Sequence, residues 1–191
     1  IPGRHQVERN LSMIESAGFG PLRTTNPSLS LSEDEKKRGR LLLLEHGVDV
    51  SRILIGMHVG AGAATKLWGA DRYAQLIKRV IADLPAQVIL FGASGDRTAV
   101  NDVKIVLDES QTVGRVFDLC GKLPDLREFM MAASSCALFV GNDSGPSHIA
   151  ASLGMSVISV FSGTNDPAEW GPRGQRVLIV RKRIECEGCG L

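Results

Sequence analysis

The sequence has no surplus of charge of either sign. Twenty-two lysines and arginines face twenty-one aspartates and glutamates, a net charge of +1, and the basic residues are scattered. Nothing in that balance predicts a nucleic-acid partner through bulk electrostatics. No apolar run is long enough to span a bilayer, and no signal peptide opens the chain. Internal repeats and low-complexity tracts are also lacking. Cysteine is sparse, with four residues. Cys120 and Cys136 sit in apolar surroundings and read as core thiols, while Cys186 and Cys189 form a single C-x-x-C at the very end. That usage fits a soluble, reducing compartment better than secretion. The first residue is Ile rather than Met, so the chain reads as a fragment or a processed piece. What it does have is a 43% apolar and 23% charged composition, enough for a globular core and too apolar for disorder. Its 191 residues suit one domain, or one domain with an appended piece.

Periodicity divides the chain near residue 50. Val7, Leu11 and Ile14 recur at helical spacing, and Gly18 is a plausible stop. Ser32 and Glu35 make a capping box for a second helix that Gly47 closes. These two helices read as a connecting region over residues 1–50. From residue 52 strands and helices alternate: strands at 53–58, 87–91, 115–119, 136–140, 156–161 and 176–180, and helices at 70–84, 96–109, 124–135 and from Pro146. The strands are apolar throughout rather than alternating, as strands covered on both faces are. The pattern predicts an α/β fold, a Rossmann-like doubly wound parallel sheet over residues 51–191. In such sheets ligands bind beyond the carboxyl ends of the strands, here at loops 59–69, 92–96 and 141–147.

The familiar nucleotide and hydrolase signatures are missing. No G-x-G-x-x-G follows a strand, so there is no dinucleotide fingerprint, and the first loop is not a Walker P-loop. The third loop, GNDSG, is not the G-x-S-x-G elbow, because its serine is fourth of five. Asp143, Ser144 and His148 are too close in sequence for the usual spaced triad. The loops nevertheless carry a chemistry of their own. In HVGAGAATKLWG, Gly60 and Gly62 let the backbone approach a ligand, and Lys66 brings a positive charge just ahead of a helix N-terminus, a set that suits a phosphate. The bland alternative is a flexible loop with a solvated lysine. In GNDSG, Ser144 and Gly145 lie at a helix start, where unbonded N–H groups can hold an anion, and His148 follows on the same helix face. Asp143 is awkward beside a phosphate; it fits as a helix cap or as an acceptor for sugar hydroxyls. Asp96 in FGASGDR fits a ribose or base acceptor, or an N-cap.

Three of these stretches together resemble one family. GNDSGPSHIAASLGMSVISVFSGTNDPAEWGP is similar to the hallmark segment of the ADP-heptose:lipopolysaccharide heptosyltransferases, glycosyltransferase family 9. HVGAGAATKLWGADRYAQLI is similar to its donor-loop segment, and CGKLPDLREFMMAASSCALFVGNDSG to the run into the hallmark. The resemblance is collinear over about residues 50–190. It implies the C-terminal, donor-binding half of a GT-B glycosyltransferase, with the N-terminal acceptor domain absent from this chain. It places Lys66 on the donor phosphates, Asp143, Ser144, Gly145 and His148 around the diphosphate and sugar, and Gly60 and Ala61 near the donor. It implies an inverting transfer from a nucleotide-diphospho-sugar, ADP-heptose, to a lipopolysaccharide core acceptor. The general base then belongs to the absent domain, so this fragment is expected to be inactive alone. No cofactor is required, and the setting implied is cytoplasmic, at the inner face of the inner membrane, with peripheral membrane contact by the full-length protein. Gly69 and the pair Met155-Ser156 depart from the family's usual residues. A nucleotide-sugar epimerase on the same fold and a non-catalytic nucleotide-binding module are the rival readings. A half zinc site at Cys186 and Cys189 lacks a second pair of ligands.

Overall fold

In the computed structural model, which describes residues 4–20, 26–108 and 112–182, six strands form one parallel sheet. They are β1 (Ile53–His58), β2 (Ala86–Phe91), β3 (Val116–Asp118), β4 (Leu138–Asn142), β5 (Val157–Phe161) and β6 (Val177–Arg181). Their order is β3-β2-β1-β4-β5-β6. Helices α3 (Ala70–Asp83), α4 (Arg97–Leu107), α5 (Leu126–Ala133), α6 (Gly145–Ser152) and the single turn α7 (Pro167–Trp170) make the crossovers. Two more helices precede the sheet, α1 (Gln6–Ser16) and α2 (Glu33–Glu45). The chain winds outward through β2 and β3, then returns past β1 to lay down β4. The loops after β1 and β4 therefore diverge at the centre of the sheet, which is the switch point of a doubly wound fold.

The uninterrupted apolar strands have a direct cause. In β2, Val88 and Leu90 belong to the core under α3 and α4, with Tyr73, Ile77, Val100 and Val103. The intervening Ile89 and Phe91 belong to the opposite core, with Leu43, Phe129, Met130 and Phe139. A strand buried on both faces needs apolar residues at every position. The edge strand β6 departs from this: its residues alternate half-buried and exposed, and Leu178 and Val180 are 58% and 46% exposed. Cys120 and Cys136 are both buried thiols, and burial pushes Cys136 up to about 12. Cys186 and Cys189 lie outside the described residues.

Most element boundaries moved by a residue or two from the positions expected, and two of the shifts have a visible cause. The fourth strand was expected at 136–140 and runs Leu138–Asn142. Cys136 still belongs to the turn that ends α5, its N–H donating to Ala133 O at 2.9 Å, and the polar Asn142 prolongs the strand. The fifth helix starts at Leu126 because Asp125 caps it, its side chain accepting from Glu128 N–H at 2.8 Å.

The first fifty residues divide. In α2 the capping box forms, with Ser32 N–H donating to Glu35 Oε2 at 2.8 Å and Glu35 N–H to Ser32 Oγ at 3.3 Å. Leu43 and Val48 enter the same core as α5, so α2 packs as one more helix of that layer. Gly39 makes the approach possible: a Cβ there would lie 2.0 Å from Met131 O on α5. By contrast α1 buries none of its residues. Polar contacts tie it to α7 and the segment that follows it: Arg9 to Glu169 at 2.9 Å, Arg173 to Glu8 at 2.6 Å, and the His5 ring to Gly171 O at 2.8 Å.

Replacing Gly39 with alanine is expected to push α2 away from α5. Overpacking of this kind costs about 1–3 kcal/mol, and urea or thermal unfolding should show a loss in that range. An unchanged midpoint would mean that the two helices are not held at this contact.

Candidate functional site

Three loops converge beyond the carboxyl ends of β1, β2 and β4. Asn142, the last residue of β4, is fully buried and fixes the first of them. Its Nδ2 donates to Val59 O and Gly60 O, both at 3.0 Å. Its Oδ1 accepts from Tyr73 Oη at 3.0 Å and from Trp68 N–H at 3.2 Å. One amide thus pins both ends of the glycine-rich loop. Burial pushes the Tyr73 phenol up, which keeps it a neutral donor.

His58, at the end of β1, joins the other two loops. It is only 4% exposed. Its Nδ1 lies 3.1 Å from Ser144 Oγ and its Nε2 lies 3.3 Å from Asp96 Oδ2. Asp96 Oδ2 also accepts from Ala93 N–H at 2.9 Å. Hydrogen bonding from His58, the largest influence, holds the Asp96 carboxyl below its usual range.

A cleft of about 530 Å³ opens above this bridge. Its lining includes His58, Ala61, Asp96, Ser144 and Gly145, together with an apolar wall of Leu123, Pro124, Leu126 and Phe129. At the mouth of α6 no side chain caps the helix, and nothing lies within 4 Å of where a Gly145 Cβ would be. Ser144 stands at the N-cap, yet its hydroxyl is turned to His58 and to Asn142 O, which it reaches at 3.3 Å. The helix start is therefore open toward the cleft.

The expected site residues fall into two groups. Ala61, Asp96, Ser144 and Gly145 line the cleft. Lys66, Asp143 and His148 form a second cluster beside it. Lys66 Nζ is 2.9 Å from Asp143 Oδ2, and Asn165 Nδ2 donates to the same oxygen at 2.7 Å. Burial lowers the pKa of His148, and the neighbouring Asp143 charge partly opposes that shift. The geometry refines three of the expectations. Gly60 does allow a close approach, but its partner is internal: a Cβ there would meet Asp96 Oδ1 at 1.9 Å, whereas Gly62 is the open position. Asp143 does not cap α6; its carboxylate is turned to Lys66 and Asn165. Asp96 stands at the N-cap of α4 but makes no side-chain cap there, folding back on Ala93 instead.

Sequence reasoning passed over His58 and Asn142. His58 was the polar end of the expected strand 53–58, whereas Asn142 fell in the loop 141–147; the available signal was a polar side chain at or just past the carboxyl end of a central strand of a doubly wound sheet.

An open, parallel sheet with an uncapped helix start at its switch point defines a Rossmann-like α/β domain. Sequence comparison narrows the class. The chain matches glycosyltransferase family 9 (heptosyltransferase) over residues 1–190, and it belongs to that family. It is 32% identical over 181 residues to lipopolysaccharide heptosyltransferase 3 of Escherichia coli K12, covering 93% of this chain and 49% of the relative. Its fold is similar to that of the E. coli ADP-heptose lps heptosyltransferase II, with a TM-score of 0.74 and 29% identity over 88% of this chain and 48% of that one. A family 9 glycosyl transferase from Veillonella parvula superposes with a TM-score of 0.80 at 22% identity, over 97% and 52% of the two chains. The chain spans about half the length of the curated relatives it matches.

Two measurements check the site's construction. Asn142→Ala would leave two carbonyls and two donors without their partner. At about 1–3 kcal/mol for each buried group left unsatisfied, a loss of at least 3 kcal/mol in unfolding free energy is expected, whereas a loss under about 1 kcal/mol would remove Asn142 as the anchor of the loop. The Asp96 carboxyl ionises at a lower pH in the folded chain than at its unfolded value of about 3.9. Its stabilising contribution is therefore complete above that value and fades as pH falls through the folded pKa. Asp96→Asn should lose less stability than wild type as pH falls from about 5 to about 2; equal acid losses would argue against the His58–Asp96 contact.

Proposed function

We propose that residues 51–191 form the donor-binding domain of a GT-B heptosyltransferase. The domain holds a nucleotide-diphospho-sugar, ADP-heptose, for inverting transfer to a lipopolysaccharide core acceptor. The observation that carries this reading is the open, uncapped start of α6 facing the cleft. The Gly145 N–H and the positive end of the helix dipole form a receptor for an anion; Pro146 brings no N–H, and the Ser147 N–H already donates to Ser144 O at 3.1 Å. Family membership and a relative described as an ADP-heptose enzyme support the choice of donor.

In this reading the diphosphate lies across Ser144 and Gly145. Lys66 adds an ammonium from the side, and Asp143 with Asn165 holds that ammonium in place. The apolar wall of Leu123, Pro124, Leu126 and Phe129 receives the flat face of the base. Asp96, with Oδ2 committed to His58 and Ala93, offers Oδ1 to a ribose hydroxyl. His148, its basicity reduced by burial, adds a donor on the sugar side. As the acceptor hydroxyl attacks the anomeric carbon, negative charge builds on the departing diphosphate, and fixed donors aimed there stabilise it most. The base that takes the acceptor's proton lies outside residues 1–191. No metal is needed in this scheme.

Calorimetric titration with ADP, UDP and GDP tests the reading. ADP should bind with the highest affinity. Lys66→Ala should weaken ADP binding by roughly 10- to 100-fold, the equivalent of about 1.5–3 kcal/mol for a hydrogen bond to a charged group. Absence of binding by all three nucleotides would overturn the donor-site reading, and unchanged affinity in the variant would remove Lys66 from it.

A further inference from the structure

Ser144 has one hydroxyl proton and three claims on it, the weakest from Asn142 O at 3.3 Å, a carbonyl that already accepts from Ser147 Oγ at 2.8 Å. A diphosphate at the mouth of α6, as in the function proposed above, offers only acceptors and needs a donor from Ser144. The His58 ring makes the other competing claim. Its Nε2 faces Asp96 Oδ2 at 3.3 Å, and that carboxylate already accepts from Ala93 N–H. An ionised carboxylate can only accept, so the ring's first proton sits on Nε2. Nδ1 is then a bare acceptor, 3.1 Å from Ser144 Oγ in a nearly fully buried ring. In that state the Ser144 hydroxyl donates to Nδ1 and presents lone pairs to the cleft. If the hydroxyl turned to a phosphate instead, two lone pairs would face each other at 3.1 Å. A buried acceptor without a donor costs roughly 1–3 kcal/mol.

We propose that His58 is a positioning residue that takes up one proton when the diphosphate binds, and so releases the Ser144 hydroxyl to donate to the anion. With a second proton on Nδ1, the ring donates to Ser144 Oγ and to Asp96 Oδ2 at once. The hydroxyl hydrogen is then released from Nδ1, and an anion in the cleft competes for it only with Asn142 O, which Ser147 Oγ already satisfies at 2.8 Å. No bond is made or broken beyond the proton that His58 gains from solvent. Among the described residues, the groups facing the ring are the Asp96 carboxylate from the loop after β2 and the Ser144 hydroxyl from the loop after β4. From α3, the neutral Tyr73 phenol reaches the His58 carbonyl at 3.4 Å. The Cys120 thiol lies one step further out, donating to Ala93 O at 3.1 Å, and the Lys66–Asp143 pair adjoins Ser144. Asp96 is therefore the one charge in direct contact with the ring, and it stabilises the doubly protonated form.

The sign of the linkage follows. The ligand prefers the doubly protonated ring, so affinity is highest at low pH and falls as pH rises through the His58 transition. The experiment is a ring ¹H–¹⁵N spectrum of ¹⁵N-histidine-labelled protein, titrated with pH in the absence and presence of saturating ADP. Four histidines make the spectrum simple, and the His58 signals are identified by their loss in His58→Gln. Without ADP, the neutral ring should carry its proton on Nε2. With ADP, Nδ1 should become protonated at neutral pH and the His58 midpoint should rise by about one unit or more. In Ser144→Ala that rise should largely disappear, because no hydroxyl needs releasing. A neutral Nδ1–H tautomer in the wild-type protein, or no change in the ring on ADP binding, would overturn the proposal. A rise of full size in Ser144→Ala would also do so, because the field of the anion alone would then explain it. Failure of ADP to bind at all is a different result, and it overturns the donor-site reading on which this proposal rests.

Discussion

The side chain of Asn142 is the hinge pin of the site. A strand-end asparagine, buried completely, spends all four of its hydrogen-bonding positions on the loop after β1 and on α3. That fixes where Gly60 runs, and Gly60 in turn leaves the space that the Asp96 carboxylate fills. Asp96 orients His58, and His58 holds the hydroxyl of Ser144. The uncapped start of α6 is thus kept open by a chain of contacts that begins with one amide. Buried polar networks of this type are costly when incomplete, which is why each member constrains the next.

The architecture was largely legible in the residues. Uninterrupted apolar strands such as AQVILF, alternating with helices, predicted a doubly covered parallel sheet, and Ser32 with Glu35 marked the start of α2. The loops predicted where chemistry would concentrate, and Ser144 and Gly145 do line the cleft. The finer wiring was not legible. Asp143 and Asp96 each read as a possible cap, but cap or partner is decided by which side chain lies nearby in space, not in sequence. The partners of Asp143 are 77 and 22 residues away, at Lys66 and Asn165. Gly60 read as room for a ligand because sequence shows that a side chain is missing, not what occupies the gap.

His58 and Asn142 were overlooked for a related reason. His58 ends an apolar run, which is read for its apolar residues, and Asn142 sits in a loop whose neighbours Asp143 and Ser144 drew the chemical reading. In a doubly wound sheet the carboxyl ends of the central strands are where burial and function meet, so a polar residue there is held by partners from loops distant in sequence. His58 is level with Phe91 and Gly141 in the sheet register, which puts its ring between the loops that follow β2 and β4.

Scarce aromatic residues are concentrated where they matter. Three of the six phenylalanines meet beneath the cleft: Phe129 packs edge-on to Phe91 and Phe139 at 5.4 and 6.0 Å, and it also lines the apolar wall. Phe129 belongs to α5, and α5 is the helix that Gly39 allows α2 to touch backbone to backbone. Residues 33–48 are therefore a buttress behind the wall rather than a detachable tether. A piece of this protein trimmed to begin at residue 51 would keep every loop of the site and yet lose the brace that sets its width.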